Sequence, residues 1–279
     1  MSVRSWLYVS GNRPDRFDKA AASGAGAVVL DLEDAVPLAG KDAALAAVLD
    51  WCAGGPVPVQ VWVRVNGGRR GADDVAAVAR TPRLTGVVLP KTSSRALLER
   101  VHEQLSAAEV ATGRPPGSIA VSPLVESAAG VLAAPALAGG PRVSCLQLGE
   151  VDLAADLGVT PGPDGAELLL ARSTVVLASA AAGIAPPPAA VSPEFRDLDA
   201  FEAQTRALVA LGFRGRACIH PAQVAVVERV CRPTPEQVAA ARDVLARLAA
   251  SPGVAVDAHG RLLDEAFARQ ARATVAAAG

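Results

Sequence analysis

Aromatic side chains are scarce in this chain of 279 residues: three tryptophans, one tyrosine and five phenylalanines make up 3% of it. Alanine, valine and leucine must therefore fill the core, and side chains this small let helices lie close against a sheet. Cysteine is also sparse. Cys52, Cys145, Cys218 and Cys231 form no CxxC pair, so the spacing gives no disulfide framework and no cysteine-rich zinc site. Two of them fall in apparent strands and read as buried thiols of a reducing cytoplasm. Neither sign of charge prevails. A net charge of −1 argues against nucleic acid or a charged membrane surface as the main partner. A membrane-spanning run is missing too. The most apolar window, residues 168–184, contains Arg172 and closes at Pro186, which reads as a buried helix. The opening MSVRSWLYVSGNRPDRF lacks the apolar core of a signal peptide, and the cytoplasm is the expected location.

What is present is apolar and regularly punctuated. Hydrophobic residues make up 51% of the chain, enough to bury a large core. Short apolar runs recur at residues 5–10, 27–32, 59–65, 85–89, 119–125, 145–148, 189–192 and 216–219. Most are continuous rather than alternating, as in parallel strands covered on both faces. Helix-favouring segments lie between them, at 15–22, 41–51, 93–110, 168–184 and 199–211. Eight such strands alternating with helices predict an α/β fold, a (β/α)8 TIM barrel, over residues 1–232. The seventh strand is the weakest, because Pro186-Pro187-Pro188 runs into it. The pattern then changes. Thr234 reads as an N-cap with Pro235 at the first helical position, opening a helix to about Ala250. A small hairpin turning at His259-Gly260 and a last helix over 265–278 complete a C-terminal helical extension, 233–279, able to reach a neighbouring subunit.

The stretch CLQLGEVDLAADLG (145–158) shows how such a fold exposes chemistry. A short apolar run breaks at Gly149, and Glu150, Asp152 and Asp156 follow. In parallel α/β folds, reactive groups sit at the carboxyl ends of strands. The other ends are just as polar: Asp31, Glu33 and Asp34 after strand two, Arg64 and Asn66 at strand three, Pro90 and Lys91 after strand four, Glu126 after strand five, His220 after strand eight. Glu126 and Asp152 end adjacent strands, and two hard carboxylates suit Mg²⁺ or Mn²⁺ completed by water and substrate. Spacing leaves open the alternative that one of them pairs with Arg64 and no metal binds. Arg64 itself suits either a carboxylate fork or a developing enolate oxygen. Asp31, Glu33 and Asp34 read mainly as a network holding Arg64 and Lys91. His220 suits a general base or, equally, a structural histidine bonded to backbone.

The pieces VVLDLEDAV (28–36), VRVN (63–66), VLPKT (88–92), LVESAAG (124–130), LGEVDLAADLG (148–158) and GFRGRACIHPAQV (212–224), with GRLLD (260–264) in the tail, resemble in this order the HpcH/HpaI aldolase and citrate lyase family, in its branch of citrate lyase β-subunit-like proteins and malyl- or citramalyl-CoA lyases. The resemblance implies a (β/α)8 barrel, usually trimeric, that uses Mg²⁺. It implies Glu126 and Asp152 as metal ligands and Arg64 as the arginine near the thioester or enolate oxygen. The backbone N–H groups of Glu150, Val151 and Asp152 would hold the substrate carboxylate. Asp264 would match the acid that reaches into a neighbour's site and shuttles the proton. The chain departs from the family pattern at Ser10-Gly11, Ala44-Leu45, Val151, Arg216, Glu265 and the strand-seven region.

The expected activity is Mg²⁺-dependent cleavage or formation of a 3-hydroxyacyl-CoA thioester of malyl, citramalyl or citryl type. The products of cleavage would be acetyl-CoA, or a relative, and a 2-keto acid such as oxaloacetate, glyoxylate or pyruvate. Alternatives are thioester hydrolysis at the same site, a subunit active only with an acyl-carrier partner, and a CoA-independent aldolase.

Overall fold

A computed structural model of the chain describes residues 3–251, 254–257 and 260–278. They form two compact units, one spanning Val3–Glu228 and the other running from Arg229 onward.

The first unit is an α/β fold. Its strands are β1 (Ser5–Ser10), β2 (Ala27–Asp31), β3 (Gln60–Arg64), β4 (Leu84–Leu89), β5 (Ala120–Val125), β6 (Gln147–Leu148) and β7 (Arg216–Cys218). Helices α1 (Phe17–Ala21), α2 (Lys41–Cys52), α3 (Gly68–Val78), α4 (Arg95–Thr112), α5 (Ala128–Ala138), α6 (Glu150–Leu157), α7 (Leu169–Ala182) and α8 (Leu198–Ala210) alternate with them, and α9 (Pro221–Cys231) follows β7. The strands pair in parallel in the order β6-β5-β4-β3-β2-β1-β7. Both faces of the sheet are covered. Trp6, Ala27, Val29, Trp62, Val88 and Leu124 meet on one face. The alternate residues Leu7, Val28, Leu30, Val61, Val63 and Val87 are buried as well. This double burial is why the strands are continuously apolar. Trp6 and Trp62 pack with ring centroids 4.9 Å apart. Ala27 and Gly86 accommodate their bulk, Gly86 so closely that an added Cβ would collide with the Trp62 ring.

The expected eight-stranded barrel is present as seven strands, and their ladder does not close. The missing strand is the proline-led run at 189–192. It keeps one parallel bridge, Ala189 to Arg216. The Ala189 N–H donates to the Gly215 carbonyl at 2.8 Å, and the Ala189 carbonyl accepts from Ala217 at 2.9 Å. On the other side, Ala185 donates to the Ser144 carbonyl at 2.9 Å. Three successive prolines have no N–H to extend this ladder. Strand six is shorter than its apolar run; ahead of it the Ser144 N–H donates to the Val121 carbonyl at 3.0 Å, and the Cys145 carbonyl accepts the Ser122 hydroxyl at 3.1 Å. Helices α3, α5 and α9 escape a periodicity reading. α5 is apolar on every side and holds Pro135, while α3 opens on Gly68-Arg69-Arg70-Gly71. α7 is not the wholly buried helix its composition suggests. Leu170 and Leu177 are exposed on its outer face, because a helix laid on a sheet buries only one side.

In the second unit, α10 (Pro235–Ala250) starts in a capping box: Thr234 Oγ1 accepts from the Gln237 N–H, and Gln237 Oε1 accepts from the Thr234 N–H. A two-stranded antiparallel ribbon, β8 (Ala255–Val256) and β9 (Leu262–Leu263), leads into α11 (Glu265–Ala278). Of the turn expected at His259-Gly260, His259 lies outside the described residues. Among the described residues no helix is long and apolar enough to cross a membrane. None of the four cysteines takes part in a disulfide.

Candidate active site

The register of the sheet sets the site. Ser10, Asp31 and Arg64 are successive partners at the ends of β1, β2 and β3, and Arg64 pairs onward with Val88. The residues that follow these ends surround a cavity of about 1030 Å³ within the first unit. Its lining includes Tyr8, Asp31, Arg64, Glu126, Gln147 and Asp152. Glu150, Val151 and His220 also border it, as do the cations Arg13, Arg16 and Lys19.

The acid cluster after β2 is a built loop. Asp31 Oδ1 accepts the Glu33 N–H at 2.9 Å and Oδ2 accepts that of Ala35 at 3.2 Å. The Lys41 ammonium donates to the carbonyls of Leu32 and Glu33 at 2.7 and 2.6 Å. Arg64 forks onto Asp31, with Nε to Oδ1 at 2.7 Å and Nη2 to Oδ2 at 2.6 Å. Its Nη1 lies 3.1 Å from Glu33 and 3.8 Å from Asp34. The guanidinium also sits 5.5 Å from the centre of the Tyr8 ring. Burial pushes the Glu33 carboxyl above its usual pKa, against the pull of Arg64. Lys91 Nζ stands 3.6 Å from Glu33, whose charge raises the lysine's pKa.

Glu126 and Asp152 do not pair with Arg64. Glu126 is buried, 4% exposed, and burial pushes its carboxyl up to about 7, with the negative charges of Glu33 and Asp152 adding to the shift. Its Oε1 accepts the Lys91 backbone N–H at 2.6 Å, while its Oε2 lies where a Cβ on Gly149 would intrude at 2.7 Å. Among the described residues no group of three or more histidine, cysteine or acidic side chains gathers in metal-binding range. The donor set is thus two hard carboxylates beside an open cavity, which fits a Mg²⁺ ion that keeps several waters and takes its other ligands from substrate. It does not fit zinc.

α6 starts immediately after Gly149, so the N–H groups of Glu150, Val151 and Asp152 are the unpaired first-turn donors that the helix end presents. The Glu150 side chain has another task. Arg172 bridges it from α7 with bonds of 2.8 and 2.6 Å, and Arg172 Nη1 also donates to the carbonyls of Asp164 and Gly165. Val151 is 62% exposed at the rim. His220 accepts the Ala222 N–H on Nδ1 at 3.2 Å and stacks on Phe195. Asp264 belongs to the second unit, where its Oδ1 accepts the N–H groups of Ala266 and Phe267 at the start of α11. Arg216 is a buried structural cation, bonded to Ala190, Phe201 and Thr205.

Several residues of the site escaped the sequence reading. Tyr8 donates to Gln147 Oε1 at 2.8 Å, and Gln147 Nε2 donates to Ser122 Oγ at 3.2 Å, a buried polar chain on the cavity floor. Burial raises the Tyr8 pKa, so the phenol stays neutral. Arg172 did leave a signal, as the one charge in an apolar window.

These features define an α/β fold that gathers its polar groups around one cavity at the carboxyl ends of a parallel sheet, where enzymes of such folds place their chemistry. Residues 4–221 match the HpcH/HpaI aldolase/citrate lyase family. A citrate lyase subunit beta-like protein of Deinococcus radiodurans is 35% identical, with 97% of this chain and 95% of that one covered. An L-malyl-CoA/beta-methylmalyl-CoA lyase of Cereibacter sphaeroides is 33% identical, with 98% and 93% covered. Among solved structures, CitE of Mycobacterium tuberculosis in complex with magnesium, acetoacetate and coenzyme A superposes with a TM-score of 0.81 at 33% identity, covering 100% of this chain and 98% of that one. The chain belongs to the HpcH/HpaI aldolase/citrate lyase family and is a carbon–carbon lyase of that family.

Proposed function

We propose that the chain is a Mg²⁺-dependent lyase that cleaves, or forms, a 3-hydroxyacyl-CoA thioester of malyl, citramalyl or citryl type. The observation that carries this is the placement of Glu126, Asp152 and Arg64 on one cavity, with Arg64 kept apart from both carboxylates by its fork onto Asp31. Glu126 and Asp152 would hold Mg²⁺, with Mn²⁺ as a substitute. When bound, the cation would polarise the oxygens of the 2-keto acid, whether oxaloacetate, glyoxylate or pyruvate.

The chain's own groups do the rest. The first-turn N–H groups of Glu150, Val151 and Asp152 bind the substrate carboxylate. In cleavage the substrate's 3-hydroxyl gives up its proton to solvent in the cavity and becomes the keto acid's carbonyl as the carbon–carbon bond breaks. The electron pair of that bond moves onto the acyl group, where Arg64, oriented by Asp31, stabilises the thioester enolate oxygen. Asp264, supplied by a neighbouring copy, protonates that enolate in cleavage or removes the same proton in synthesis. Arg13, Arg16 and Lys19 offer positive charge to the phosphates of CoA. In this reading residues 1–232 form the catalytic domain and complete a (β/α)8 barrel through the stretch around Ala189. The extension 233–279 crosses to a neighbour in a homo-oligomer, a trimer, working in the cytoplasm.

The test is product analysis with malyl-CoA and citramalyl-CoA in the presence of Mg²⁺. Acetyl-CoA plus glyoxylate or pyruvate is the expected outcome, and Glu126→Ala and Asp152→Ala should remove turnover and metal dependence together. Free hydroxy acid and CoA without a keto acid would instead identify a thioesterase. Turnover appearing only when an acyl-carrier protein is added would identify a dependent subunit.

A further inference from the structure

We propose that Lys91 and Gly149 are positioning residues for Glu126, and that both act through the backbone rather than through a side chain. The proposal rests on the reading of Glu126 as a metal ligand.

Only two non-glycine residues among those described have a positive φ, Lys91 and Arg142, and the value at Lys91 is 50°. L-residues avoid this left-handed region, because Cβ crowds the backbone there. At Lys91 it occurs in the turn that leaves β4, and the turn is tied down on both sides. The Thr92 N–H donates to the Leu124 carbonyl at 3.2 Å, and Thr92 Oγ1 donates to the Leu89 carbonyl at 2.8 Å. Between these anchors the Lys91 N–H leaves the ladder and meets Glu126 Oε1 at 2.6 Å. The ammonium does not explain the residue's conformation. Its side chain is 60% exposed and stands 3.6 Å from Glu33, a pairing that water and salt weaken.

Gly149 confines the other side of the carboxylate. Its φ of −98° and ψ of 87° do not call for glycine, since its φ is negative as in ordinary L-residues. The obstacle to a side chain is Glu126 itself. A Cβ at 149 would lie 2.7 Å from both Glu126 Cβ and Oε2. The glycine is held in place by its N–H, which donates to the Val125 carbonyl at 2.9 Å. Two neighbouring strand ends thus clamp one acid: a donor from the β4 side fixes Oε1, and a bare α-carbon on the β6 side leaves room for Oε2. No lysine or arginine lies in salt-bridge range of Glu126 among the described residues, so the clamp is what orients it. An acid fixed in this way is pre-organised to ligate, and partners that orient a ligand typically contribute about 10–100-fold to metal affinity.

The experiment is Mn²⁺ binding to the full chain, by calorimetry and by paramagnetic resonance, with a melting curve for each variant. Lys91→Gly and Lys91→Val both remove the ammonium, but only glycine readily keeps a positive φ. Lys91→Gly is expected to bind within about threefold of wild type, and Lys91→Val and Gly149→Ala about tenfold or more weakly. Equal losses in Lys91→Gly and Lys91→Val would assign the effect to the ammonium and overturn the proposal. So would wild-type affinity in both Lys91→Val and Gly149→Ala. If Gly149→Ala fails to fold, the two Lys91 variants decide the matter. Glu126→Ala separates the two levels. If it binds Mn²⁺ as wild type does, the metal assignment fails and the clamp fails with it. If it loses binding while Lys91→Val and Gly149→Ala retain it, only the clamp fails.

Discussion

Asp31 and Arg64 are register partners at the ends of β2 and β3, and a two-point fork of 2.7 and 2.6 Å joins their side chains. The fork depends on a planar guanidinium, whose Nε and Nη2 match the two carboxylate oxygens. A lysine keeps the charge but offers one point of attachment. Arg64→Lys is therefore expected to lower kcat by roughly 10²–10³ while the protein still folds. Steady-state kinetics with malyl-CoA check this, and a rate close to wild type would count against an oriented guanidinium at the enolate.

Arg172 ties α7 to the first residue of α6 through Glu150, and to the loop ahead of its own helix through the carbonyls of Asp164 and Gly165. With side-chain exposures of 12% and 17%, the Arg172–Glu150 pair is largely out of water. Removing one partner leaves the other charge unpaired. Arg172→Met should cost about 2 kcal/mol, read as a lower urea midpoint. The double variant Arg172→Met, Glu150→Gln should lose less than the sum of the single changes. Strict additivity would show that the pair is not coupled.

Glu109 and Arg142 form a buried pair at 2.7 Å, and the Glu109 carboxylate also accepts the N–H groups of Gly117 and Ile119. The Arg142 hydrogen bond comes first among the causes that hold this carboxyl down to about 2, against the opposing effect of burial. Because its folded-state pKa lies below the unfolded value, the stabilisation is complete above about pH 4.5 and is lost as the pH falls towards 2. Urea midpoints should therefore drop between about pH 5 and pH 3. Glu109→Gln should be less stable at neutral pH but show a shallower slope. Parallel slopes in the two proteins would contradict this account.

Gly86 lies on β4 against the Trp62 ring, and a Cβ there would also stand 2.7 Å from the Ala120 carbonyl. Neither a tryptophan packed on Trp6 nor the β5 backbone can easily give way. Gly86→Ala should destabilise the protein by about 1–3 kcal/mol, measured by denaturant titration. A neutral outcome would mean that the interior can repack.

The alternation of strands and helices was legible because parallel strands buried on both faces are written as continuous apolar runs. The polar residues that end them are their immediate neighbours in the chain. Asp31, Arg64, Glu126 and Asp152 could thus be named without coordinates, and so could the capped start of α10 at Thr234. The proline-led run near Ala189 looked like a strand in composition, but three residues without an N–H cannot build a ladder.

Pairing was decided only by the tertiary structure. Sequence left Arg64 free to choose between the acids of β2 and Glu126, and the register of β2 against β3 gave it to Asp31. It placed Glu150 among the site's acids, and packing of α7 bound it to Arg172, 22 positions away. Nothing local marked Lys91 as left-handed or Gly149 as the space beside Glu126. Both facts arise where the ends of β4, β5 and β6 converge. Pattern along a chain reports burial and local propensity, whereas contacts between strand ends depend on register and on the volume left between backbones.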